Sequence, residues 1–413
     1  MISFQLAPEL QDLRDSVALF AHEVVAPVIG GYYERGEFPY DLVAKMGKLG
    51  LFGLPFPEDY GGMGGDHFAL CLALEELARV DSSVAITLEA AVSLGAMPIY
   101  RFGSEAQRRR WLPELCAGDR LAAFGLTEPG GGSDIPGGMR TTASLVQGQA
   151  GGEEWVIDGA KAFITNSGTS ITSVVTVLAI TGREAGGRNE ISSIIVPSGT
   201  PGFTPGPEYS KVGWCASDTR ELSFAGCRVP AENLLGGRGR GYAQFLQILD
   251  EGRVAIAALA TGLAQGCVDE CVAYAAQREA FGRRLEQHQA IAFAIADMEA
   301  RAQVARLAWY DAAARLVAGQ PVKKAAAIAK LTASDAAMDN ARAATQVFGG
   351  YGFMNEFPVA RFYRDAKVLE IGEGTSEVQR MLIARELGLG NPQLHPQRKA
   401  WSRRGVRSGH PAA

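Results

Sequence analysis

Near the carboxyl end, a carboxylate stands between two glycines in the stretch Glu370-Ile371-Gly372-Glu373-Gly374-Thr375-Ser376-Glu377. Glycine on both sides lets backbone and ligand approach without a Cβ between them. Thr375 or Ser376 can cap the helix that follows, and the charge of Glu377 suits its first turn. A carboxylate on so tight a turn can point into a cleft. Apolar surroundings there would raise its pKa from ~4.3 towards neutrality, which suits a general base. On these residues alone, a solvated loop acid before an ordinary helix is the commoner reading.

Four other stretches could bind or do chemistry. Leu126-Thr127-Glu128-Pro129-Gly130-Gly131-Gly132-Ser133-Asp134 exposes backbone N–H groups that can cradle an anion, or else forms a flexible hairpin. It lacks the Walker lysine and the Rossmann spacing. Trp155 to Asn166 reads as a hairpin turning at Asp158-Gly159, with Phe163 and Thr165 on one strand face. That pair could flank a planar heterocycle or simply pack a core. Arg278-Glu279-Ala280-Phe281-Gly282 interrupts a helix and could free Arg278 to meet a pyrophosphate, or could be a solvated helix end. Gln346-Val347-Phe348-Gly349-Gly350-Tyr351-Gly352 ends another helix with room for a ligand against its backbone, although a C-cap explains one glycine.

The elements that would position these residues follow from periodicity. From Ala7 to about Ala117 apolar residues recur at helical spacing, and Pro27 is expected to break the first helix. Asp66 and Ser104 are candidate caps. After Asp119, short β-branched runs separated by glycine-rich turns predict a small antiparallel barrel or sandwich. From about Gly241, long Ala- and Leu-rich helices predict an antiparallel bundle. The expected architecture is α+β and multidomain: a helical domain over 1–120, a middle β domain over 121–236, and a helix bundle over 237–390. The basic tail, 391–413, is expected to be a disordered end.

Composition narrows the function. The 413 residues are 47% hydrophobic and 21% charged, with a net charge of -5, which argues against general nucleic-acid binding. No secretory pattern opens the chain, and no run of eighteen apolar residues predicts a membrane span, so a cytoplasmic location is expected. The six cysteines show no CxxC spacing, and Cys267 and Cys271 read as buried thiols. The five histidines form no HExxH, so no metal is expected.

Taken in order, LTEPGGGSD, KAFITN, REAFG, QVFGGYG and EGTSEVQR resemble the acyl-CoA dehydrogenase family, and the resemblance runs from about residue 5 to 390. It implies the α–β–α fold, FAD, and a homotetramer built as a dimer of dimers. It also implies oxidation of an acyl-CoA to a trans-2-enoyl-CoA, with electrons passed to an electron-transfer flavoprotein. Glu373 matches the family's base, which removes the α-proton while hydride leaves Cβ for the flavin. A flavin ribityl hydroxyl and the Glu373 N–H would polarise the thioester carbonyl. The resemblance places Phe124, Leu126, Thr127, Gly132 and Ser133 along the flavin, with Phe163, Ile164 and Thr165 on the partner strand. Arg278, Phe281 and Gln289 match FAD contacts made across a subunit boundary. Gln346, Val347, Gly349 and Gly350 match the adenosine side, and Thr375 and Glu377 match further FAD contacts. Ser133, Asp250, Arg253 and Gly374 match positions that touch substrate.

Departures from the family pattern bear on the substrate. Most relatives carry Trp where Phe163 stands. Gly372 replaces a Tyr found beside the base in many straight-chain members, which implies a short or branched acyl group. Some branched-chain members take their base from the position of Gly252. Here the nearest acid is Glu251, turned about 100° around the helix. Ala85 stands where glutaryl-type members place an Arg, which disfavours a dicarboxylate. Two rivals remain at this level: an oxidase of the same fold that reacts with oxygen, and a non-catalytic acyl-CoA- or nucleotide-binding helical protein, which would be colourless.

Overall fold

The computed structural model describes residues 6–148 and 151–389, so the basic tail lies outside the described residues. The amino-terminal helices are Pro8–Phe20, Ala26–Arg35, Tyr40–Lys48, His67–Ala78, Ser82–Glu89, Met97–Phe102 and Glu105–Cys116. Asp66 caps its helix by accepting from the Ala69 N–H at 3.0 Å, and Ser104 forms a capping box with Gln107. Pro27 does not break the first helical run. A π-helical turn, Ala21–Val25, precedes it, and Pro27 falls in the first turn of Ala26–Arg35. The π-helical turn is where the continuous run absorbs the missing N–H of Pro27.

The middle region is one eight-stranded sheet. Its neighbours run Phe203–Glu208, Thr219–Pro230, Glu153–Thr165, Thr142–Gln147, Thr172–Arg183, Asn189–Pro197 and Leu234–Leu235. Leu121–Gly125 joins off this path and pairs parallel with Thr172–Arg183, so the sheet is mixed rather than purely antiparallel. The expected hairpin turn at Asp158-Gly159 is absent: both residues lie inside the single strand Glu153–Thr165. A register shift falls there instead, with Gly159 at φ 148 and its α-hydrogen face against Thr141. Phe203–Glu208 (FTPGPE) escaped the sequence reading because two prolines and a glycine hide its strand pattern.

The carboxyl-terminal bundle is built from Gly241–Ala275, Gln289–Val317, Lys323–Phe348, Pro358–Leu369 and Ser376–Glu386. Gly241–Ala275 is its axis. A Cβ on Gly262 would stand 2.1 Å from the Glu75 carbonyl oxygen, and one on Gly266 2.2 Å from that of Arg79. The axis therefore lies directly against the helix His67–Ala78 and welds the first helical domain to the last. Ser82–Phe102 and Gly241–Ala275 are long and apolar enough to span a bilayer, but their apolar windows are 94% and 89% buried within the protein. Such burial is what core helices require.

Candidate active site

Glu373 sits in the turn between Pro358–Leu369 and Ser376–Glu386. The turn is closed by hydrogen bonds from the Gly372 N–H to the Val368 carbonyl (2.8 Å) and from the Ser376 N–H to the Glu370 carbonyl (3.0 Å). Thr375, rather than Ser376, is the cap: its Oγ1 accepts from the Val378 N–H at 3.3 Å. Glu373 itself adopts φ 52, a left-handed conformation that costs a residue with a Cβ about 1–2 kcal/mol. Buried donors hold it there. Lys330 Nζ donates to the Leu369 and Gly374 carbonyls at 2.7 and 2.9 Å, Ser334 Oγ to Leu369 at 2.9 Å, and Gln379 Nε2 to Gly374 at 2.7 Å.

Both Glu373 carboxylate oxygens are shut off from solvent, and among the described residues no N–H or hydroxyl donates to them. Burial is the main reason the carboxyl is pushed above its ordinary range, against the pull of Lys330 and Arg253. The side chain points at the helix Gly241–Ala275, where a Cβ on Gly252 would stand 2.3 Å from Glu373 Oε2. Gly252 thus makes room for the base from the facing helix. Arg253, next along that helix, is buried and ion-paired with Asp250. The competing acid, Glu251, is paired with Arg101 at 3.2 Å, which removes it from contention as a free base.

The strand side of this chamber is pinned by an ion pair that the sequence reading left without a role. Lys161 Nζ donates to Glu128 Oε1 at 2.8 Å, both side chains almost wholly buried. The Ala162 N–H bonds the Thr127 carbonyl at 2.8 Å. Together these bonds clamp the LTEPGGGSD loop to the strand carrying Phe163, Ile164 and Thr165. Phe124 stacks on Phe245 at 5.5 Å, with Leu126 packed in the same cluster. Gly132 and Ser133 are exposed beyond it. Phe163 takes φ 61 and stays 66% exposed, tilted against Tyr209 at 5.4 Å. Asn166 ties this strand to the first domain through Nδ2, which donates to the Thr87 carbonyl at 3.0 Å.

The remaining candidates gather elsewhere. Arg278, Val347, Gly349 and Gly350 line a cleft of about 520 Å³ with Tyr274 and Tyr351. A Cβ on Gly349 or Gly350 would meet nothing within 4 Å, so the backbone there is open to a ligand. Phe281 is at φ 52 and 98% exposed at the tip of the Glu279–Ala280/Arg283–Arg284 hairpin. Gln289 opens the next helix in an exposed position, and Gln346 and Glu377 line neither the cleft nor the chamber. Among the described residues, three of the five non-glycine residues with positive φ (Phe163, Phe281 and Glu373) are residues singled out from sequence. Strain of this kind persists where the surroundings over-determine it.

Sequence reasoning missed Glu89, Glu128, Lys161 and Lys330. For Glu89, Lys161 and Lys330 the available signal was a charged residue among apolar neighbours, which must find a partner when buried; Glu128 sits in a glycine-rich turn and carried no such signal.

Family models for the acyl-CoA dehydrogenase N-terminal, middle and C-terminal domains match residues 7–119, 123–227 and 239–388. "Probable acyl-CoA dehydrogenase YngJ" of Bacillus subtilis (strain 168) is 46% identical over 94% of this chain and 100% of its own length. The butyryl-CoA dehydrogenase structure from Megasphaera elsdenii superposes with a TM-score of 0.88 at 41% identity, covering 94% of this chain and 100% of that one. A chain from a structure described as the electron transferring flavoprotein of Acidaminococcus fermentans gives 0.89 at 40% identity, covering 94% and 99%.

Proposed function

Because this chain belongs to the acyl-CoA dehydrogenase family, we propose that it oxidises the Cα–Cβ bond of a short or branched acyl-CoA to the trans-2-enoyl-CoA, with Glu373 as base. The observation that carries this reading is a buried carboxylate with no N–H or hydroxyl donor among the described residues, held in a left-handed turn and aimed at a glycine on the opposite helix. Deprotonated, it accepts the α-proton. The Glu373 N–H makes no backbone hydrogen bond among the described residues, which leaves it to bind the thioester carbonyl where negative charge develops. Arg253 and Lys330 lie beside the carboxylate and favour its ionised form.

The residues present fit FAD. The glycine-lined cleft with Arg278 suits a nucleotide's phosphates, and the uncovered Phe163 ring beside the clamped LTEPGGGSD loop suits a flat heterocycle. When bound, FAD supplies the hydride acceptor for Cβ. The two sets of residues occupy separate places on one chain, which supports a cofactor shared across a subunit boundary and hence an oligomer; the family resemblance makes that a homotetramer. The Acidaminococcus neighbour supports an electron-transferring flavoprotein as the acceptor.

A short or branched acyl group is favoured by Gly372. Its φ is not left-handed, and a Cβ there would find only the Val368 carbonyl oxygen, at 3.5 Å. The backbone does not demand glycine, so the missing side chain serves as room beside the base. Anaerobic bleaching of the flavin by a panel of acyl-CoAs tests the assignment. Glu373→Gln is expected to keep the yellow colour and to lose about 10³-fold or more in bleaching rate. Wild-type-like bleaching by that variant would refute Glu373 as the base.

A further inference from the structure

A second carboxyl shares the chamber. Glu89 ends the helix Ser82–Glu89 and is fully buried; among the described residues no N–H bonds either oxygen, and the Ser93 hydroxyl lies beside it without a well-formed hydrogen bond. From the position a Gly252 Cβ would occupy, Glu373 Oε2 is 2.3 Å away and Glu89 Oε1 3.7 Å away, so both carboxyls converge on one small space. The segment carrying Glu89 is fixed on two sides. Asn166 holds the Thr87 carbonyl, and the turn after Glu89 packs so closely on the strand Leu121–Gly125 that a Cβ on Gly95 would lie 2.4 Å from the Ala122 carbonyl oxygen.

Two like charges about 4 Å apart in a protein interior cost about 4 kcal/mol, and each buried unpaired carboxylate adds a desolvation cost. Sharing one proton removes the repulsion and satisfies one oxygen on each side. The groups facing the pair show which carboxyl keeps the proton. Lys330 from Lys323–Phe348 and Arg253, with its partner Asp250, from Gly241–Ala275 lie on the Glu373 side. Glu89 faces Ser93 on its own segment and Cys71 on His67–Ala78, neither of them a cation.

We propose that Glu89 is a positioning residue for the base: it holds the shared proton and donates it to Glu373, so that Glu373 rests as an oriented carboxylate. Burial and the neighbouring Glu373 charge keep Glu89 protonated well above the ordinary carboxylate range. When Cα is deprotonated, Glu373 gains that proton and the pair then carries two, neither lost to solvent. This rests on Glu373 being the base.

Glu89→Ala and Glu89→Gln separate the possibilities, because the amide keeps a donor facing Glu373. First-turnover flavin bleaching by butyryl-CoA and isovaleryl-CoA is followed against pH. The substrate-free oxidised enzyme is examined by infrared spectroscopy for the carbonyl stretch of a protonated carboxyl. In Glu89→Ala the acid limb should move to higher pH by about one unit, since buried Glu373 has lost the donor that Glu89 supplies. Glu89→Gln should restore the wild-type limb, and the infrared band present at neutral pH should vanish in both variants. An unmoved acid limb in Glu89→Ala, or a band that survives both substitutions, overturns the proposal. So does a change in preference between the two acyl groups with the limb unmoved, which would make Glu89 a substrate contact. If neither thioester bleaches the wild type, the dehydrogenase reading falls, and the infrared band alone decides the pair.

Discussion

At the scale of single residues, the site depends on a side chain that is missing. Gly252 faces Glu373 from a helix in which glycine is a poor choice, costing about 1 kcal/mol relative to alanine. Gly252→Ala should therefore leave thermal stability unchanged or slightly raised. The new methyl would stand 2.3 Å from Glu373 Oε2 and must displace it. A shift of about 1 Å in a catalytic group costs about 10²-fold in rate, so bleaching should fall by that order. The check is paired: a thermal melt and a single-turnover rate on the same preparation. Loss of rate with a lower melting temperature would mean that the helix, not the base, was disturbed. The substrate gap is tested in the same way. Gly372→Tyr should slow bleaching by isovaleryl-CoA about tenfold more than bleaching by butyryl-CoA, because only the branch needs the vacated space. An equal effect on both would deny Gly372 a part in acyl selection.

At the scale of elements, the turn bearing the base is held by Lys330, whose ammonium is buried in the middle of Lys323–Phe348. Burial pushes this amine down to about 8 from the ordinary 10.5. Between those values the folded protein binds fewer protons than the unfolded chain, so this group makes stability rise with pH across that window. The neutral amine still has two N–H groups for the Leu369 and Gly374 carbonyls, so relief of the buried charge is not offset by lost hydrogen bonds. Lys330→Met should flatten the rise and remove one donor from each carbonyl, leaving Ser334 Oγ on Leu369 and Gln379 Nε2 on Gly374. That should cost about 1–3 kcal/mol in urea unfolding at neutral pH, and a variant as stable as wild type with the same pH slope would contradict the account. Elements of this kind set the limit of what the sequence discloses. The Glu373 turn was legible because glycines, a cap and an acid sit within a few residues of one another. The long Ala-rich helices were legible from their period. Lys330, Glu89 and the Lys161–Glu128 pair were not, because their partners lie far along the chain and only packing brings them together. The strand at Asp158-Gly159 was misread because a β-bulge and a hairpin turn use the same residues.

At the scale of the whole molecule, the three regions meet at Asp365. Its Oδ1 accepts from the Tyr33 hydroxyl at 2.5 Å and from the Trp214 N–H at 2.7 Å, and its Oδ2 accepts from Ser82 Oγ at 2.7 Å. Tyr33 and Ser82 belong to the first helical domain, Trp214 to a loop of the middle region, and Asp365 to Pro358–Leu369, the helix that leads into the base turn. Trp214 is held at φ 51, and its ring N–H donates back to Ser82 Oγ at 3.1 Å, so the knot is closed. Asp365→Ala would leave the buried Tyr33 and Ser82 hydroxyls and the half-buried Trp214 N–H without their acceptor; at about 1–3 kcal/mol for each buried donor, a loss of about 4 kcal/mol is expected in urea unfolding. Asp365→Asn keeps one acceptor oxygen for Tyr33 and Trp214 and turns an amide towards the Ser82 hydroxyl, which can accept. It should lose less than half as much. Because the helix carrying Asp365 ends four residues before Glu373, the alanine variant should also bleach more slowly under conditions where it remains folded. Equal stability losses in the two variants would show that the charge of Asp365, rather than its hydrogen bonds, joins the three regions.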